Sequence, residues 1–587
     1  MSFPELEISS AVVGHLPVIR ACLDKLGVLD VVDRHLPKHP LAHASDAECL
    51  AVMVLNILSG RVALWRMDSR FANTDFELLL GEGAESSWFH DTRLGQSLDR
   101  FDAVGTDTLL GETVVGFLGA QLEQPFSAHL DQTTAKLYGV YDGHVGGPTP
   151  AHGFSKDHRP DLKQLVFGMC LHGSCGVPLT MGLHDGNTAD SVANRGHLSK
   201  LGALLPDPDQ VTVVADCKLV DGETLGLLTG SGFHFVSLVP KTFNVRGELI
   251  DEVWSLAPDV ACWPILATKP GAKKADPVRH YRGMSRTGAF KVAFPAPSPG
   301  GSPVESIEEF RCLVVHSEDL DARFDRSIDG KLGREADKLR KTHKRLLARE
   351  YACAADAAKA VGPLVKKLKW HAAHVTVEER QVVEKRAKRG RPRKDAPPPE
   401  TRTVYVPQVE LVRDDQAVAD ARRRASCFVL ITDWSSDEWD DERVLSEYRY
   451  QSLIEGHTGF RWLKGPAAVA PVFLDTPSRI RALGFVFMVA LMVRNYVQFT
   501  LRAAMKERGR GILHPFRKKA DDNLTTEMAL VWFEGVIATS VRQPGGSWVR
   551  QPPKLPEPAL EVLELLAISV DVFRVPPRRT ENGRAGP

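Results

Sequence analysis

Apolar residues recur at helical spacing through most of residues 1–120, so this region is predicted to be mainly α-helical. The clearest stretch, residues 44–60, has Ser45 or Asp46 as its N-cap and Gly60 as its end. No helix in this region carries a cluster of catalytic residue types. A helical scaffold or oligomerisation module and a site-specific DNA-binding domain therefore both remain open as its role.

The pattern changes near Pro125, where runs rich in β-branched and aromatic residues replace the helical spacing. Such runs predict strands, and two helices lie among them. In chain order the predicted elements are a strand over 126–141 that contains Asp131, two strands within 164–187 joined by a glycine turn, a helix over 188–205, a strand over 211–219 with Asp216 near its end, a second helix, and a strand over 232–239. This order predicts a mixed α/β fold.

Residues 240–425 separate these strands from the next predicted strand, at 425–433. The interval is too long for a loop and predicts an inserted domain. Its first part, residues 242–294, is predicted to be rich in strands, and residues 334–369 to form a charged helix or helical pair. Five regions follow: a helical N-terminal domain for DNA binding or oligomerisation (1–120), the first part of a core (121–239), the insertion domain (240–425), the second part of the core (426–508), and a C-terminal helix with a disordered tail (509–587).

A helix is predicted over residues 442–455, in the second part of the core. Tyr448, Gln451 and Glu455 are spaced three and four residues apart, so they share one helical face. A phenol, an amide and a carboxylate on one stripe indicate a face turned toward a polar group such as a metal or a phosphate. A solvated helix with the same spacing is the alternative.

The longest apolar segment, residues 482–493, belongs to a further predicted helix that begins at Pro477. Its twelve residues are too few to span a bilayer, which takes about 18 or more, so a buried helix packed on the sheet is predicted. One more helical piece is predicted near residues 525–539. The Pro- and Arg-rich tail that starts at Pro576 is predicted to be disordered.

The composition of the 587 residues is that of a globular protein, with 43% hydrophobic and 25% charged residues. The formal net charge of zero does not by itself indicate a nucleic-acid partner. The nine cysteines form no CxxC pair, so neither a structural zinc site nor a disulfide framework is predicted, and a reducing cytoplasm is expected. Residues 1–10 lack the features of a signal peptide, and no membrane partner is expected.

Asp131 and Asp216 fall within or at the end of apolar strands, where a carboxylate is costly to bury unless it is paired, hydrogen-bonded or bound to a cation. A capping role explains each aspartate on its own. Together with Glu455 they supply the hard oxygen ligands that Mg²⁺ prefers. Two such ions about 3.5–4 Å apart are the arrangement that metal-dependent phosphoryl transfer uses.

Residues 366–394 contain eleven Lys or Arg and three Glu, a local net charge of +8. The run ends in KRGRPRK, which matches the AT-hook pattern around Arg-Gly-Arg-Pro. Glycine and proline keep such a segment narrow and extended, so its arginines can enter an A·T-rich minor groove, and its charge alone favours phosphate contact. A disordered basic linker is the alternative. The basic residues predicted to contact DNA here are Arg389, Arg391, Arg393 and Lys394.

Taken together, the motifs of this chain resemble those of bacterial insertion-sequence transposases of the DDE class. The motifs are HLDQTTAKLYG around Asp131, GFSKDHRPDLKQ and GNTADS between the first two acids, VVADCKL around Asp216, and YRYQSLIEGHTGFRWLKGP around Glu455. The resemblance covers most of residues 120–500. It is to the subgroup whose core is interrupted by a long insertion and whose third acid lies in a Tyr/Arg/Glu/Lys helix signature.

This resemblance implies a ribonuclease-H-like mixed sheet flanked by helices and interrupted by the insertion domain. It implies that Asp131, Asp216 and Glu455 are the catalytic acids, that they bind two Mg²⁺ or Mn²⁺ ions, and that Tyr448 is the signature tyrosine. The implied reaction is strand cleavage at the ends of an element, followed by strand transfer to target DNA. The implied partners are double-stranded DNA, from the terminal repeats and the target, and a second copy of the chain, in a bacterial cytoplasm at the nucleoid.

Two positions depart from the helix signature. Gln451 stands where the signature has arginine, so it can hydrogen-bond a phosphate but cannot neutralise it. Trp462 stands where the signature has lysine, which leaves Lys464 or Arg461 as the candidate basic residue. Tyr448 and Gln451 are expected to position phosphates of the DNA.

Two other functions remain open at this point. A metal-dependent nuclease of the same fold would cut DNA without joining it. A catalytically decayed copy would bind DNA through its basic segment alone; the presence of all three acids in one open frame disfavours it.

Overall fold

The structure is a computed structural model of the chain. It describes residues 7–121, 125–138, 141, 147–153, 159–271, 276–296, 301–347, 349–383, 400–453, 459, 462–463, 474, 476–517, 519–542 and 548–579. The chain forms two compact units. Unit 1 comprises Met1–Leu238, Ala289–Phe310 and Ile431–Pro587, and unit 2 comprises Val239–Gly288 and Arg311–Leu430.

The described elements are sixteen strands, seventeen α-helices and several short 3₁₀ turns. The strands are β1 (Ile8–Val12), β2 (Phe126–Lys136), β3 (Gln164–His172), β4 (Pro178–His184), β5 (Val211–Ala215), β6 (His234–Leu238), β7 (Ile265–Lys269), β8 (Arg279–Phe294), β9 (Val304–Ser317), β10 (His371–Val383), β11 (Thr401–Arg413), β12 (Cys427–Thr432), β13 (Ile512–Leu513), β14 (Ala520–Asp521), β15 (Ile537–Arg542) and β16 (Trp548–Gln551). The helices are α1 (Leu16–Lys25), α2 (Val28–His35), α3 (Asp46–Leu58), α4 (Met67–Phe71), α5 (Phe76–Leu80), α6 (Asp91–Val104), α7 (Thr106–Gln121), α8 (Asp190–Leu204), α9 (Gly222–Ser231), α10 (Asn244–Leu256), α11 (Glu318–Leu347), α12 (Ala354–Val365), α13 (Asp415–Ser426), α14 (Asp441–Leu453), α15 (Pro477–Arg508), α16 (Thr526–Leu530) and α17 (Glu557–Leu565).

A mixed sheet organises unit 1, with β4, β3, β2, β5 and β6 side by side in that order. β2 pairs antiparallel with β3, and β3 with β4, whereas β5 runs parallel to both β2 and β6. All five residues of β5 are buried, as expected for a parallel strand that is covered on both faces. The predicted mixed α/β class is confirmed. The strands predicted within 126–141, 164–187, 211–219, 232–239 and 425–433 are also confirmed, with tighter bounds.

Helix α8 covers one face of this sheet. The side-chain amide of Gln132, on β2, donates to the Asn194 side chain (2.7 Å) and to the Asp190 carbonyl (2.8 Å). Gly168, the residue opposite Gln132 on β3, permits this close approach. A Cβ atom at Gly168 would lie 2.5 Å from Nε2 of His197 on α8.

Helix α15 packs on the other face. A Cβ atom at Gly484 of this helix would lie 3.0 Å from Phe167 and 3.3 Å from Met181, on β3 and β4. Residues 482–493 are all buried, so the predicted buried helix is confirmed, although it is longer than the apolar segment indicates. Among the described residues, α15 is the one helix long and apolar enough to cross a membrane, and 94% of its apolar window is buried inside the protein.

The two ends of the chain meet in unit 1. Strand β1 pairs antiparallel with β15, and β15 pairs antiparallel with β16. Arg550 on β16 forms ion pairs with Asp75 (2.6 Å) and Glu77 (2.7 Å), beside helix α5. Strands β15 and β16 therefore belong to one structural module with β1 and the N-terminal helices.

Two predictions for the C-terminal region need correction. The helix predicted near residues 525–539 is wrong in its second half, because α16 ends at Leu530 and Ile537–Arg542 forms β15. The tail predicted to be disordered from Pro576 is described as far as Arg579, whose guanidinium forms an ion pair with Glu48 (2.9 Å). In both cases the stabilising partner comes from the N-terminal region, which local sequence patterns cannot reveal.

Unit 2 combines helices with long β-hairpins. β10 pairs antiparallel with β11, and β7 pairs with the first part of β8. The predicted helical pair is confirmed as α11 and α12, although α11 begins earlier, at Glu318. The expectation that residues 242–294 are mainly strands is incomplete because α10 occupies Asn244–Leu256. The buried residues of α10, Leu249, Ile250 and Val253, have helical spacing.

Candidate active site

Asp131, on β2, and Asp216, which follows β5, lie at the same end of two paired strands. The parallel register pairs Phe126 with Val211 and continues to His129 with Val214. Two more residues in the same register bring Asp131, on β2, beside Asp216, which directly follows β5. Since paired strands lie about 4.8 Å apart, the two aspartates are close neighbours at this point of the sheet.

Each of these carboxylates accepts a hydrogen bond from the backbone next to it. Asp131 is half-buried and accepts from the Gln132 N–H (2.7 Å). Asp216 is exposed and accepts from the Lys218 N–H (2.8 Å), so it caps the turn Cys217–Leu219. An ionised carboxylate has about four lone-pair sites, so a capping bond leaves it able to bind a cation.

A third acid, Asp190, lies near this pair at the start of α8. Burial raises the pKa of the Cys217 thiol, and the neighbouring carboxylates of Asp216 and Asp190 raise it further. The Ser237 hydroxyl, on β6, donates to the Asp216 carbonyl (2.8 Å) and fixes the end of β5. Asp190 is the acid of the GNTADS motif, and the sequence alone predicts no role for it.

Helix α14 is attached to β2 beside Asp131. The Gln451 side-chain amide donates to the Leu130 carbonyl (3.4 Å). One turn earlier on the same helix, Glu447 Oε1 lies 3.4 Å from Nε2 of His129, which is 2% exposed. His129 and Asp131 are two residues apart on a strand, so their side chains point to the same face, the face on which α14 lies.

Glu447 is held in its ionised form at this contact. Burial raises the pKa of its carboxyl group, but hydrogen bonds from His129 and Ser127 outweigh burial and leave the pKa below its ordinary value. Ser127 Oγ also lies 3.1 Å from Nε2 of His129. Both contacts use the same ring nitrogen, so the group lacks the relay of a Ser-His-acid triad, in which the acid binds the other nitrogen.

The structure describes Tyr448 and Gln451 among the residues expected to contact DNA. Tyr448 is half-buried. Gln451 is only 4% exposed, and its amide binds a backbone carbonyl. In this structure the Gln451 side chain fastens α14 to the strand that carries Asp131, and its contact with a phosphate stays a prediction.

Sequence reasoning missed His129 and Glu447, although each gives a signal. A histidine stands two residues before Asp131 in an apolar strand, and a glutamate stands one helical turn before Gln451. His129 therefore shares a strand face with Asp131, and Glu447 shares a helix face with Gln451. The sequence gives no sign that the strand face with His129 and the helix face with Glu447 lie against each other.

Trp462, which replaces the signature lysine, is buried at 7% exposure. The guanidinium carbon of Arg494, on α15, lies 5.5 Å from the centre of the Trp462 ring. Arg494 is itself buried and forms an ion pair with Glu527 (2.6 Å). In the sequence, Arg494 directly follows the apolar segment 482–493. A charged residue at that place in a buried helix was the available signal for this contact.

Several predicted site residues lie outside the described residues: Glu455, Arg461, Lys464, Arg389, Arg391, Arg393 and Lys394. Within the described part of the chain, no three His, Cys, Asp or Glu side chains form a group that could hold a metal ion. The described geometry therefore brings together Asp131, Asp216 and the helix that precedes Glu455 in sequence.

Comparison with known proteins gives two similarities. Residues 8–115 match the model of a domain of unknown function, DUF4277. No curated protein matches the chain. Among solved structures, the chain is similar to a piggyBac transposase in a synaptic complex with hairpin DNA, seen by cryo-electron microscopy, with 7% sequence identity and a TM-score of 0.24. The similarity covers 50% of this chain and 60% of that one, and a TM-score this low does not establish a shared fold.

Proposed function

We propose that this protein is a DNA transposase of the DDE class with a ribonuclease-H-like core in unit 1. The observation that carries the proposal is the β2–β5 register, which sets Asp131 beside Asp216. Two acids that are 85 positions apart in sequence thereby become neighbours at one point of the sheet. The order of three antiparallel strands continued by parallel strands agrees with the core type that the sequence motifs imply.

Asp131, Asp216 and Glu455 are the residues that would hold two Mg²⁺ or Mn²⁺ ions. The two described aspartates fit such ions in their chemistry, since they offer hard oxygen ligands and one of them is open to solvent. Bound divalent ions would supply Lewis acidity, which lowers the pKa of a water or hydroxyl and stabilises the leaving oxygen. Glu455 follows Gln451 by four residues in the sequence, one turn of a helix.

The other residues of the site position the acids and the DNA. His129, Glu447 and Gln451 hold α14 on β2, so they keep the helix next to the strand that bears Asp131. Tyr448 would orient a phosphate. In this scheme the chain supplies no covalent nucleophile, because water and then the freed 3′-hydroxyl attack phosphorus. Synapsis of two element ends calls for a homodimer on DNA.

The test uses DNA that carries the ends of the chain's own element, with Mg²⁺ or Mn²⁺. Asp131→Asn, Asp216→Asn and Glu455→Gln should each abolish strand cleavage while duplex binding persists. Asp209→Asn is the matched control: it removes an exposed carboxylate at the opposite end of β5 and should keep full activity. Cleavage that survives both aspartate substitutions would refute the site assignment.

An assay with pre-cleaved DNA ends distinguishes a transposase from a metal-dependent nuclease of the same fold. A transposase joins such ends to a target plasmid, and the joined product runs as a new species on a gel. Metal-dependent cutting without any joined product would instead identify a nuclease. DNA binding with neither cutting nor joining would identify a catalytically decayed copy.

A further inference from the structure

A cleft in unit 2 is lined by positive charge. It lies between helix α11 and the segment that follows α12, and it encloses about 350 Å³. Five of its lining residues are cations: Lys331, Arg334 and Lys338 from α11, with Lys367 and Lys369 from the facing segment. Trp370 forms part of the wall.

The cations of α11 form a continuous stripe. Lys331, Arg334 and Lys338 are three and four residues apart, so they share one face of the helix. The seven steps from Lys331 to Lys338 correspond to a rise of about 10 Å along the helix axis. A single phosphate ion cannot contact charges spread over that length, whereas a chain of phosphodiesters can.

In the part of the chain that the structure describes, none of these five cations forms an ion pair. No carboxylate among the described residues lies within ion-pair distance of any of them. The acid in the cleft is Glu335, and its oxygens already accept hydrogen bonds from the Lys369 N–H (2.7 Å), the Trp370 N–H (2.9 Å) and the His371 side chain (2.9 Å). Glu335 therefore serves to hold the two sides of the cleft together.

Other cations of unit 2 are paired with acids. Lys269 lies 2.8 Å from Asp319, and Arg422 contacts both Asp321 (2.8 Å) and Asp325 (2.9 Å). Unpaired like charges that face one cleft repel each other, so their presence in a chain that pairs cations elsewhere indicates an external anion.

The side of the cleft that contains Lys331 is preorganised. The Lys331 Nζ atom lies 4.7 Å from the centre of the Phe324 ring and 5.6 Å from the centre of the Trp370 ring. Cation–π contacts of this kind hold the lysine ammonium group over the aromatic faces and restrict the conformations of the side chain. Phe324 in turn packs in a small core with Ile328 and Val418.

We propose that this cleft binds consecutive phosphates of a DNA strand, an inference that takes DNA as the ligand from the proposed function. The shared chemistry is the phosphate group, and a free phosphate compound is the other possible source. The length of the charged stripe favours the polymer. The cleft is separate in sequence from the basic motif at residues 388–394 and contributes phosphate contacts of its own.

The test compares the salt dependence of DNA binding in the full chain, without divalent metal, by fluorescence anisotropy of a labelled 20-base-pair duplex. The double variant Lys331→Gln with Lys338→Gln removes two cleft cations. Its plot of log affinity against log salt concentration should be shallower than the wild-type plot by about 1.8, since each lost phosphate contact removes about 0.9. The ratio of the wild-type affinity to the variant affinity should consequently fall about 12-fold between 50 and 200 mM salt.

The matched control is Lys341→Gln with Lys359→Gln, which removes two exposed lysines of α11 and α12 that do not line the cleft. A slope equal in the cleft and control variants would overturn the proposal. Inorganic pyrophosphate that competes with the duplex at micromolar concentration would assign the cleft to a free phosphate compound and overturn the choice of DNA.

Failure of this inference is distinguishable from failure of the proposed function. A wild-type chain that binds no duplex at any salt concentration contradicts the transposase. A wild-type chain that binds with a slope unaffected by the cleft substitutions contradicts only the role of the cleft. Asp209→Asn should leave the slope unchanged, because this exposed carboxylate lies outside unit 2 and outside the proposed catalytic site.

Discussion

The attachment of α14 to β2 gives the sharpest test of the site geometry. The substitution Glu447→Gln keeps the shape of the side chain but removes the charge that accepts hydrogen bonds from His129 and Ser127. A hydrogen bond to a charged group contributes about 1.5–3 kcal/mol. With the Glu447 side chain 23% exposed, we expect a loss near the lower part of that range, about 2 kcal/mol.

A loss of about 2 kcal/mol confined to this attachment raises the population of the detached helix about 30-fold. Hydrogen exchange measured by mass spectrometry reports that population directly, because backbone amides exchange when the helix opens. Peptides from α14 should therefore exchange about 30-fold faster in the variant at pH 7, whereas peptides from α11 in unit 2 should be unchanged. Cleavage activity should fall in parallel.

Glu442→Gln is the control, since it removes an exposed carboxylate from the first turn of the same helix. Equal acceleration in both variants would show that any lost charge loosens α14. Unchanged exchange in Glu447→Gln would refute the assignment of this residue as an attachment point.

The pH dependence of this attachment has a definite sign. Because the pKa of Glu447 is lower in the folded protein than in the unfolded chain, its contribution is fully present above the unfolded value of about 4.3. The contribution is lost as the pH falls through the lower, folded value. The opening equilibrium of α14, obtained from exchange rates after correction for the intrinsic pH dependence of amide exchange, should accordingly stay low at pH 5 and rise only in stronger acid.

Three further predictions concern unit 1. Glu527→Gln leaves the buried Arg494 without its carboxylate and should cost about 2 kcal/mol in urea unfolding, less than a fully buried pair because Glu527 is 46% exposed. Burial lowers the pKa of His172 to about 4 and of His197 to about 3. Below pH 6.5 these histidines are protonated in the unfolded chain but stay neutral in the folded protein, so the urea midpoint should fall as the pH drops from 6.5 toward 4. Gly168→Ala places a Cβ 2.5 Å from the His197 ring and should cost about 2 kcal/mol in the same assay.

Each of these has its own control. Gly230→Ala, in α9, adds a methyl group that meets nothing within 4 Å and should be neutral or slightly stabilising. A His197→Gln variant should flatten the pH dependence of the urea midpoint; an unchanged curve would mean that other groups cause it. Methionine at both position 494 and position 527 should recover most of the stability lost in Glu527→Gln, since it leaves no unpaired charge.

Elements stabilised by local patterns were predictable from the sequence. β5 is a short β-branched run, and every one of its residues is buried, so its hydrophobicity alone located it. α14 followed from side-chain spacing, and the described helix begins one residue before the predicted start. The juxtaposition of Asp131 and Asp216 was predicted only through the motifs, since periodicity gives no register between strands 85 residues apart.

Features that depend on distant partners were not predictable. Spacing put Gln451 on the same face as Tyr448, but it could not tell that this part of the face meets the Leu130 carbonyl. The apolar residues of α10 have helical spacing, but strands β7 and β8 follow this helix closely, so the composition of residues 242–294 as a whole favours strands. The sequence near β15 predicts a helix, and the strand that forms there depends on pairing with β1, more than 500 residues earlier in the sequence.

The pairing of β1 with β15 has a consequence for how the protein is made. On the ribosome, β1 is made long before its partner, because residues 537–541 must be translated before the two strands can pair. A copy of the gene interrupted by a stop codon before residue 537 would yield a chain with that strand unpaired and the α5 acids Asp75 and Glu77 without Arg550. We expect such products to be cleared by proteolysis, so truncated copies should not accumulate as inhibitors of an intact one.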